Sequence, residues 1–512
     1  MTASPSGVMH DLSNCVVIDI GMENARGMMW LGSSSYQLPA SSDIPISTSV
    51  VQKDGRLAIC NGTESKLFGS YIRGFTQLLG RSYREYQNLH LDRAMFGCPV
   101  VEQNRKPVFD LHGTKVSPVD ATAEVIKTVM NMAKSRVETV DSVVLIIPDD
   151  FRGSQKEAAM EAIALAGYKC LFLLPESLAS VVESIDVSVS TPQVFLVYNF
   201  GGSSFKADLV QYKDGILQHL QHQQFSSIGG LYFDQMLANK VLSDVPDIEV
   251  EIDSNDYFVA MKRLRHVCKI AKESCDVDGE INIDLSEYGI EDMMISITCD
   301  EVKMMFGNEV RKTISVVDDM IRQQYKRLDV DSIKKVVMVG GTSLLPIVNE
   351  AIRNRFPGRV ISNNPAYRAV SGGFHYLRAM DQSDSHIRLA LGRKIGLAVT
   401  EKKVHSLFNE DSVPLRVTNF KIELRGPSET KFKSALYEIL SSSNSKVYEL
   451  SDCQLIRFIT YNLPRGHSSD RYKVSFTLKD INTIRFQCKN AETGEVVVSE
   501  EDLIVFSVCC AM

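Results

Sequence analysis

Four short apolar runs constrain this chain more than anything else in it: VVIDI (16–20), SVVLIIP (142–148), VFLVYNF (194–200) and KVVMVGG (335–341). Each is strand-length and apolar almost throughout, as a strand buried on both faces of a sheet must be. Three of them run straight into glycine, at Gly21, Gly201–Gly202 and Gly340–Gly341. Helical patterns lie between. Ser117-Pro118 opens one, with Val125, Val129 and Met132 on a shared face. Ser154 and Glu157 have capping-box spacing ahead of Ala158, Ala162, Ile163 and Ala166. Strands alternating with helices predict an α/β sheet that binds ligands at the C-terminal ends of its strands. The first and third runs share a plan of strand, Asp19 or Asn199, glycine turn and second apolar segment. Such self-similarity points to two related lobes facing one another, although strand-then-glycine also recurs by chance.

Beyond residue 381 the texture changes. DQSDSH (381–386) reads as a linker. After it the period becomes two: Tyr472, Val474, Phe476 and Leu478 alternate with Lys473, Ser475, Thr477 and Lys479. ALYEIL, LIRFITYNL and TIRFQCK read similarly, with Asn462, Pro464, Gly466 and Gly494 as turn residues. That pattern predicts a small antiparallel β domain with no helical segment after it.

Composition narrows the class. Apolar residues make up 44 % and charged residues 23 % of 512, ordinary values for a globular protein of two or three domains. No segment approaches the roughly 18–20 apolar residues of a membrane span, and the N-terminus lacks the basic and apolar regions of a signal peptide. Eleven cysteines without metal-ligand spacing predict reduced thiols and a cytoplasmic location. His219 and His222 are the closest histidine pair. On a polar, Gln-rich strand they read as surface rather than ligand. A net charge of −7 gives no pull toward nucleic acid.

Over nearly its full length the chain resembles the heat shock protein 70 family. Asp19-Ile20-Gly21 sits where that family has its first phosphate loop, and NFGGSSFKADLV (199–210) is similar to its second. IIPDDFRGSQKEAAMEAIALAGYKCLFLLPESLAS (146–180), SSIGGLYFD (226–234), KRLRHVCKIAKES (262–274), VMVGGTSLLP (338–346) and NNPAYRAVSGG (363–373) follow in family order. VSFTLKDINTIRFQCKNAETGEV (474–496) looks like the last strands of its peptide-binding β-sandwich. The resemblance implies an actin-like, two-lobed ATPase fold of duplicated ribonuclease-H-like lobes, then a truncated β-sandwich without a helical lid. The implied boundaries are 1–190, 191–380, a linker at 381–391, and 392–512. The implied cofactor is ATP or ADP with Mg²⁺, held by backbone amides of glycine loops and by oxygen ligands. Nucleotide-binding candidates are Asp19, Gly21, Gly201, Gly202, Ser203, Ser204, Gly229, Gly230, Lys272, Gly340 and Gly341. Asp19 is also the candidate metal-side carboxylate, acting through water.

The departures from the pattern fall on the chemistry. Met22 and Glu23 stand where the family has two threonines. A carboxylate beside a polyphosphate is repulsive by about 1 kcal/mol per charge pair in water and roughly 4 near a protein surface. Thr76 occupies the catalytic lysine position, with Arg73 three places away, and Asn199 and Lys206 replace two aspartates. Of the phosphate-side charges, Asp19 and Glu176 survive. On the adenosine side Lys269, Glu273, Asp276, Leu344 and Ala366 all differ from the family residues. Retained glycines have a structural explanation as well, since glycine permits close packing with or without ligand. HIRLALGRK (386–394) keeps only alternate apolar positions of the family's interdomain linker, and Phe172 replaces an arginine that receives J-domain partners. The expected nucleotide affinity is therefore weak or absent.

With these departures, the resemblance implies a non-hydrolysing chaperone scaffold of the family's lid-less branch, paired with a zuotin-type J-domain co-chaperone. It would reach the ribosome through that partner and serve an orthodox heat shock protein 70, with no direct nucleic-acid or membrane contact. The alternative is a divergent ATP-dependent chaperone that binds unfolded polypeptide. An actin-like filament former or sugar kinase is disfavoured by the β-rich tail.

Overall fold

The structure, a computed structural model, describes residues 14–40, 45–60, 71–89, 93–225, 228–245, 256–275, 279–286, 293–323, 330–381, 387–390, 394–398, 400, 402–409, 412, 417–423, 431–439, 445–462, 471–480, 483–491 and 493–504. Asp276, most of the linker and the adjacent Cys509–Cys510 lie outside them.

The predicted apolar runs are strands of two sheets with the same plan. In the first, β1 (Cys15–Ile20), β2 (Asn24–Leu31), β3 (Ser34–Leu38), β4 (Ser142–Ile147) and β5 (Lys169–Pro175) lie in the order β5-β4-β1-β2-β3. In the second, β6 (Gln193–Phe200), β7 (Phe205–Lys213), β8 (Ile216–Phe225), β9 (Ile333–Val339) and β10 (Val360–Ile361) lie in the order β10-β9-β6-β7-β8. In both, the first strand pairs parallel with a strand far along the chain and antiparallel with the next one. Even the turns match: Gly21 N–H donates to Asn24 O at 3.1 Å, and Gly201 N–H to Ser204 O at 3.0 Å. Strand-then-glycine is here the mark of a repeated lobe rather than chance. β4 and β6 are buried along their whole length, the consequence of helices on both faces.

Helices flank the sheets as patterned. In α1 (Pro118–Lys134) Ser117 caps the N-terminus and Asp120 completes the box. α2 (Gly153–Leu165) starts earlier than expected: Gln155 Oε1 accepts from Arg152 N–H at 3.2 Å, so Ser154 lies inside the first turn. This first turn is closely packed, since a Cβ on Gly80 would meet Ser154 O at 2.3 Å. Three further helices, α3 (Glu176–Val181), α4 (Gly230–Asp244) and α5 (Asp256–Glu273), frame the space between the lobes.

The helix α6 (Arg368–Asp381) returns to the first sheet, where Phe374 packs on Trp30 with ring centroids 4.3 Å apart. It also lies directly on α3, because a Cβ on Gly372 would fall 1.9 Å from Ala179 O. Gly372→Ala should therefore destabilise the protein by about 1–3 kcal/mol, although alanine is the better helix former by about 1 kcal/mol. Urea denaturation measures it, and a neutral or stabilising result would show the two helices are not in contact.

The alternation in HIRLALGRK is that of an edge strand. β11 (Arg388–Leu389) adds parallel to Ile216–Leu217 of β8. Arg388 N–H donates to Gly215 O at 2.8 Å and Ala390 N–H to Leu217 O at 2.9 Å. Ile387 and Leu389 are buried in a cluster with Val210, Tyr212 and Leu217. The C-terminal region holds a five-stranded and a four-stranded antiparallel sheet. Tyr472, Val474, Phe476 and Leu478 are buried against Leu397, Leu436 and Ile456 of the other sheet in one apolar core. Among the described residues no helix is long and apolar enough to cross a membrane.

Candidate functional site

A cleft of about 430 Å³ opens between the two glycine turns. Every candidate named from the sequence lines it except Gly229, together with Thr76, Glu176, Asn199 and Lys206. Gly229 lies behind, where a Cβ would meet Gly202 O at 2.4 Å. Gly340 has φ +85°, and its Cβ would strike Phe200 O at 2.4 Å. Both glycines are required by backbone contact alone, which supplies the structural reason for their retention.

The two turns are packed on each other by the residues that depart from the family pattern. A Cβ on Gly202 would lie 3.3 Å from Met22 Cβ and 3.8 Å from Glu23 Cγ. Met22 is buried in the first lobe's core, and its Cε lies 2.8 Å from the position of a Cβ on Gly74. Met22 thus plugs the space between Gly74 and Gly202. Glu23 lies beside it and is not repelled by its surroundings. Its carboxylate accepts from Arg73 Nη1 at 3.1 Å and from Lys269 Nζ at 2.7 Å. Burial acts to raise the Glu23 pKa, but Arg73 and then Lys269 outweigh it and hold the group down to about 2. Arg73 is itself fixed by Met95 O, 2.7 Å from its Nε. Lys269 lies on α5, so the Glu23 carboxylate ties one lobe to the other.

A second internal pair holds the metal side. Lys206 Nζ lies 3.8 Å from Glu176 and 3.9 Å from Asp150. The Asn199 side chain donates to Glu176. Burial, followed by the Glu176 charge, pushes the Asp19 pKa up to about 7, with Arg26 and Lys206 opposing. The ammonium of Lys206 therefore stands among the carboxylates that a hydrated cation would need. Nearby, Lys272 Nζ sits 2.5 Å from Asp234 and donates to Gly230 O at 2.8 Å, so it is engaged within its own lobe. Burial, opposed by Lys272, raises the Asp234 pKa to about 6. Thr76 lies in a short 3₁₀ turn, and its neighbour Gln77 donates to Ser203 Oγ at 3.4 Å across the cleft.

Sequence reasoning missed one constellation outright. A β-bulge at Leu220 of β8, opposite Leu209 and Val210 of β7, aligns His222 with Asp208 and His219 with Val210. Residues three apart on a strand normally face opposite sides, and the extra residue puts both rings on one face. His219 Nε2 and His222 Nδ1 lie 2.8 and 2.7 Å from the same buried Asp208 Oδ1. The pair is therefore not simply surface. Asp149, carried by the first lobe, caps α3 through Ser177 N–H at 3.0 Å and Oγ at 2.5 Å. Its charge also acts on Asp208 and His219.

The phosphate end of this cleft is lined by side chains already paired within the protein. Glu23 and Met22 fill the gap between the turns, and Lys206 neutralises the metal-side acids.

Comparison with known proteins agrees with the architecture. The family described as "Hsp70 protein" matches residues 68–371, more than half of the chain. The chain is 24 % identical over 290 residues to "Heat shock 70 kDa protein" of Trichophyton rubrum, covering 55 % of this chain and 44 % of that protein. It is 26 % identical over 293 residues to "Heat shock 70 kDa protein 14-B" of Xenopus laevis, covering 55 % and 56 % respectively. The match thus spans about half the length of these relatives. With its two repeated lobes and the glycine-walled cleft between them, the chain belongs to the heat shock protein 70 family.

Proposed function

We propose that this chain is a non-hydrolysing chaperone scaffold whose nucleotide cleft is satisfied from within. The observation that carries the reading is the Glu23 carboxylate bound by Arg73 of one lobe and Lys269 of the other. That carboxylate takes the place of a phosphate, and the Lys206 ammonium takes the place of a metal ion. Phosphoryl transfer depends on positioning and on charge stabilisation around the transferred group. Thr76, Asn199 and Lys206 remove three of the charges that would supply it. A cleft tied shut does not cycle, so the protein acts by holding a surface rather than by turning over.

Members of this family typically work with J-domain co-chaperones. The resemblance extends this to a stable zuotin-type partner that carries the chain to the ribosome in the cytoplasm, beside an orthodox heat shock protein 70. The paired C-terminal sheets supply an extended β surface suited to adding a partner strand. The rival reading, a divergent ATP-dependent chaperone, rests on Asp19, Glu176 and the glycine turns.

Steady-state turnover separates the two. Purified chain should release phosphate from ATP no faster than buffer, with or without a J-domain protein. Multiple turnover abolished by Asp19→Asn would establish the ATPase reading instead.

A further inference from the structure

We propose that Asp208, His219 and His222 form a binding site for a divalent metal of the zinc class. Two imidazole nitrogens and a carboxylate oxygen all lie within 4.8 Å of one another. That is the donor set of a three-ligand centre with water in the fourth position. Imidazole with carboxylate selects zinc, cobalt or nickel over magnesium, which prefers oxygen.

Three further observations support it. The β-bulge is what brings His219 and His222 onto one face, and bulges re-aim side chains beside functional sites. Asp208 is 1 % exposed while the two imidazoles keep partial exposure, at 26 % and 23 % of their side-chain area. A cation thus has an entry path ending on a fixed carboxylate. The Asp149 charge, contributed by the first lobe, acts on Asp208 and on both imidazoles, which favours a dication at this place. The plain alternative is two imidazoles solvating one buried carboxylate. In either role the His222 Nε2 is buried with no hydrogen-bond partner, so the ring is oriented from its Nδ1 side alone. A metal-bound histidine ordinarily leans on an outer partner. Its lack at His222 sets the affinity below that of a closed structural zinc centre.

The site is independent of the nucleotide cleft reading, because neither Glu23 nor Lys206 contributes a ligand. Cobalt titration of the full-length, metal-free protein tests it. Binding should saturate at one equivalent, with visible d–d absorption and no thiolate-to-cobalt charge-transfer band, and zinc should displace the cobalt. His219→Ala and His222→Ala should each weaken binding by more than the roughly 10–100-fold that outer partners are worth. Asp149→Asn should fall within that range. Circular dichroism checks folding, and His222→Gln replaces any alanine variant that does not fold. Absence of saturable absorption would overturn the proposal. So would a charge-transfer band that survives all the histidine variants, since it would place the metal on cysteine.

Discussion

Replacing Glu23 by alanine should destabilise the protein by about 3 kcal/mol at neutral pH, the low end of the 3–5 kcal/mol seen when one member of a buried ion pair is removed. The low end applies because Glu23, Arg73 and Lys269 keep 15–19 % of their side-chain exposure. The loss arises from two cations left facing each other across the cleft, not from the missing methylenes. Glu23 is held near 2 against an ordinary 4.5, a displacement worth about 3 kcal/mol by linkage. Because its pKa is depressed in the folded state, this stabilisation is complete above pH 4.5 and is lost as pH falls toward 2. The difference between wild type and Glu23→Gln should therefore be flat through neutrality and shrink below pH 4.5. Inorganic triphosphate should raise the melting temperature of Glu23→Ala and leave wild type unmoved. Urea denaturation across pH, with and without triphosphate, reads all of this. An alanine variant as stable as wild type, with no triphosphate effect, would show that the ion pair does not tie the lobes.

Lys206→Met should be comparably severe, with a different pH signature. The variant leaves Glu176, Asp150 and Asp19 facing one another without their cation, a loss of about 3–5 kcal/mol at pH 8. The Asp19 carboxyl is already pushed up to about 7. A carboxyl with a raised folded-state pKa penalises the fold above that pH, and the penalty lifts as pH drops through 7 toward its ordinary 3.8. The deficit of the variant should thus narrow on acidification already between pH 8 and pH 5, a window in which the Glu23 deficit stays flat. Exposed to solvent cations, the oxygen cluster should also acquire Mg²⁺-dependent stabilisation that wild type lacks. A deficit that is unchanged between pH 8 and pH 5, or insensitive to Mg²⁺, would place Lys206 outside the acid cluster's charge balance.

The sheets were legible in the sequence because burial on both faces writes itself as continuous apolar runs, and because glycine turns punctuate them. The duplication was visible only as a hint at Asp19 and Asn199. Strand order and the matched turn bonds at Gly21 and Gly201 turn the hint into topology. Chemistry was less legible. Glu23 reads as a residue that repels phosphate when taken alone, since its partners lie 50 and 246 positions away. Lys269 likewise looks like a lost adenosine contact rather than half of an interlobe tie. His219 and His222 read as surface because a spacing of three on a regular strand divides the faces. A bulge does not announce itself in a polar, Gln-rich stretch. Their partner Asp208 sits on the neighbouring strand, and Asp149 stands inside the conspicuous Asp149-Asp150 pair after Pro148, an acidic signal that pattern reading passed over.

The claim that the cleft is satisfied from within meets its most direct test in calorimetric titration of ATP with Mg²⁺ into the unmodified chain and into Glu23→Thr. The account predicts no saturation by wild type below about 1 mM, weaker than −4 kcal/mol, and measurable binding by the threonine variant as Arg73 and Lys269 are released to meet phosphate. Saturable, Mg²⁺-dependent binding of ATP by the unmodified chain at micromolar concentration would contradict it.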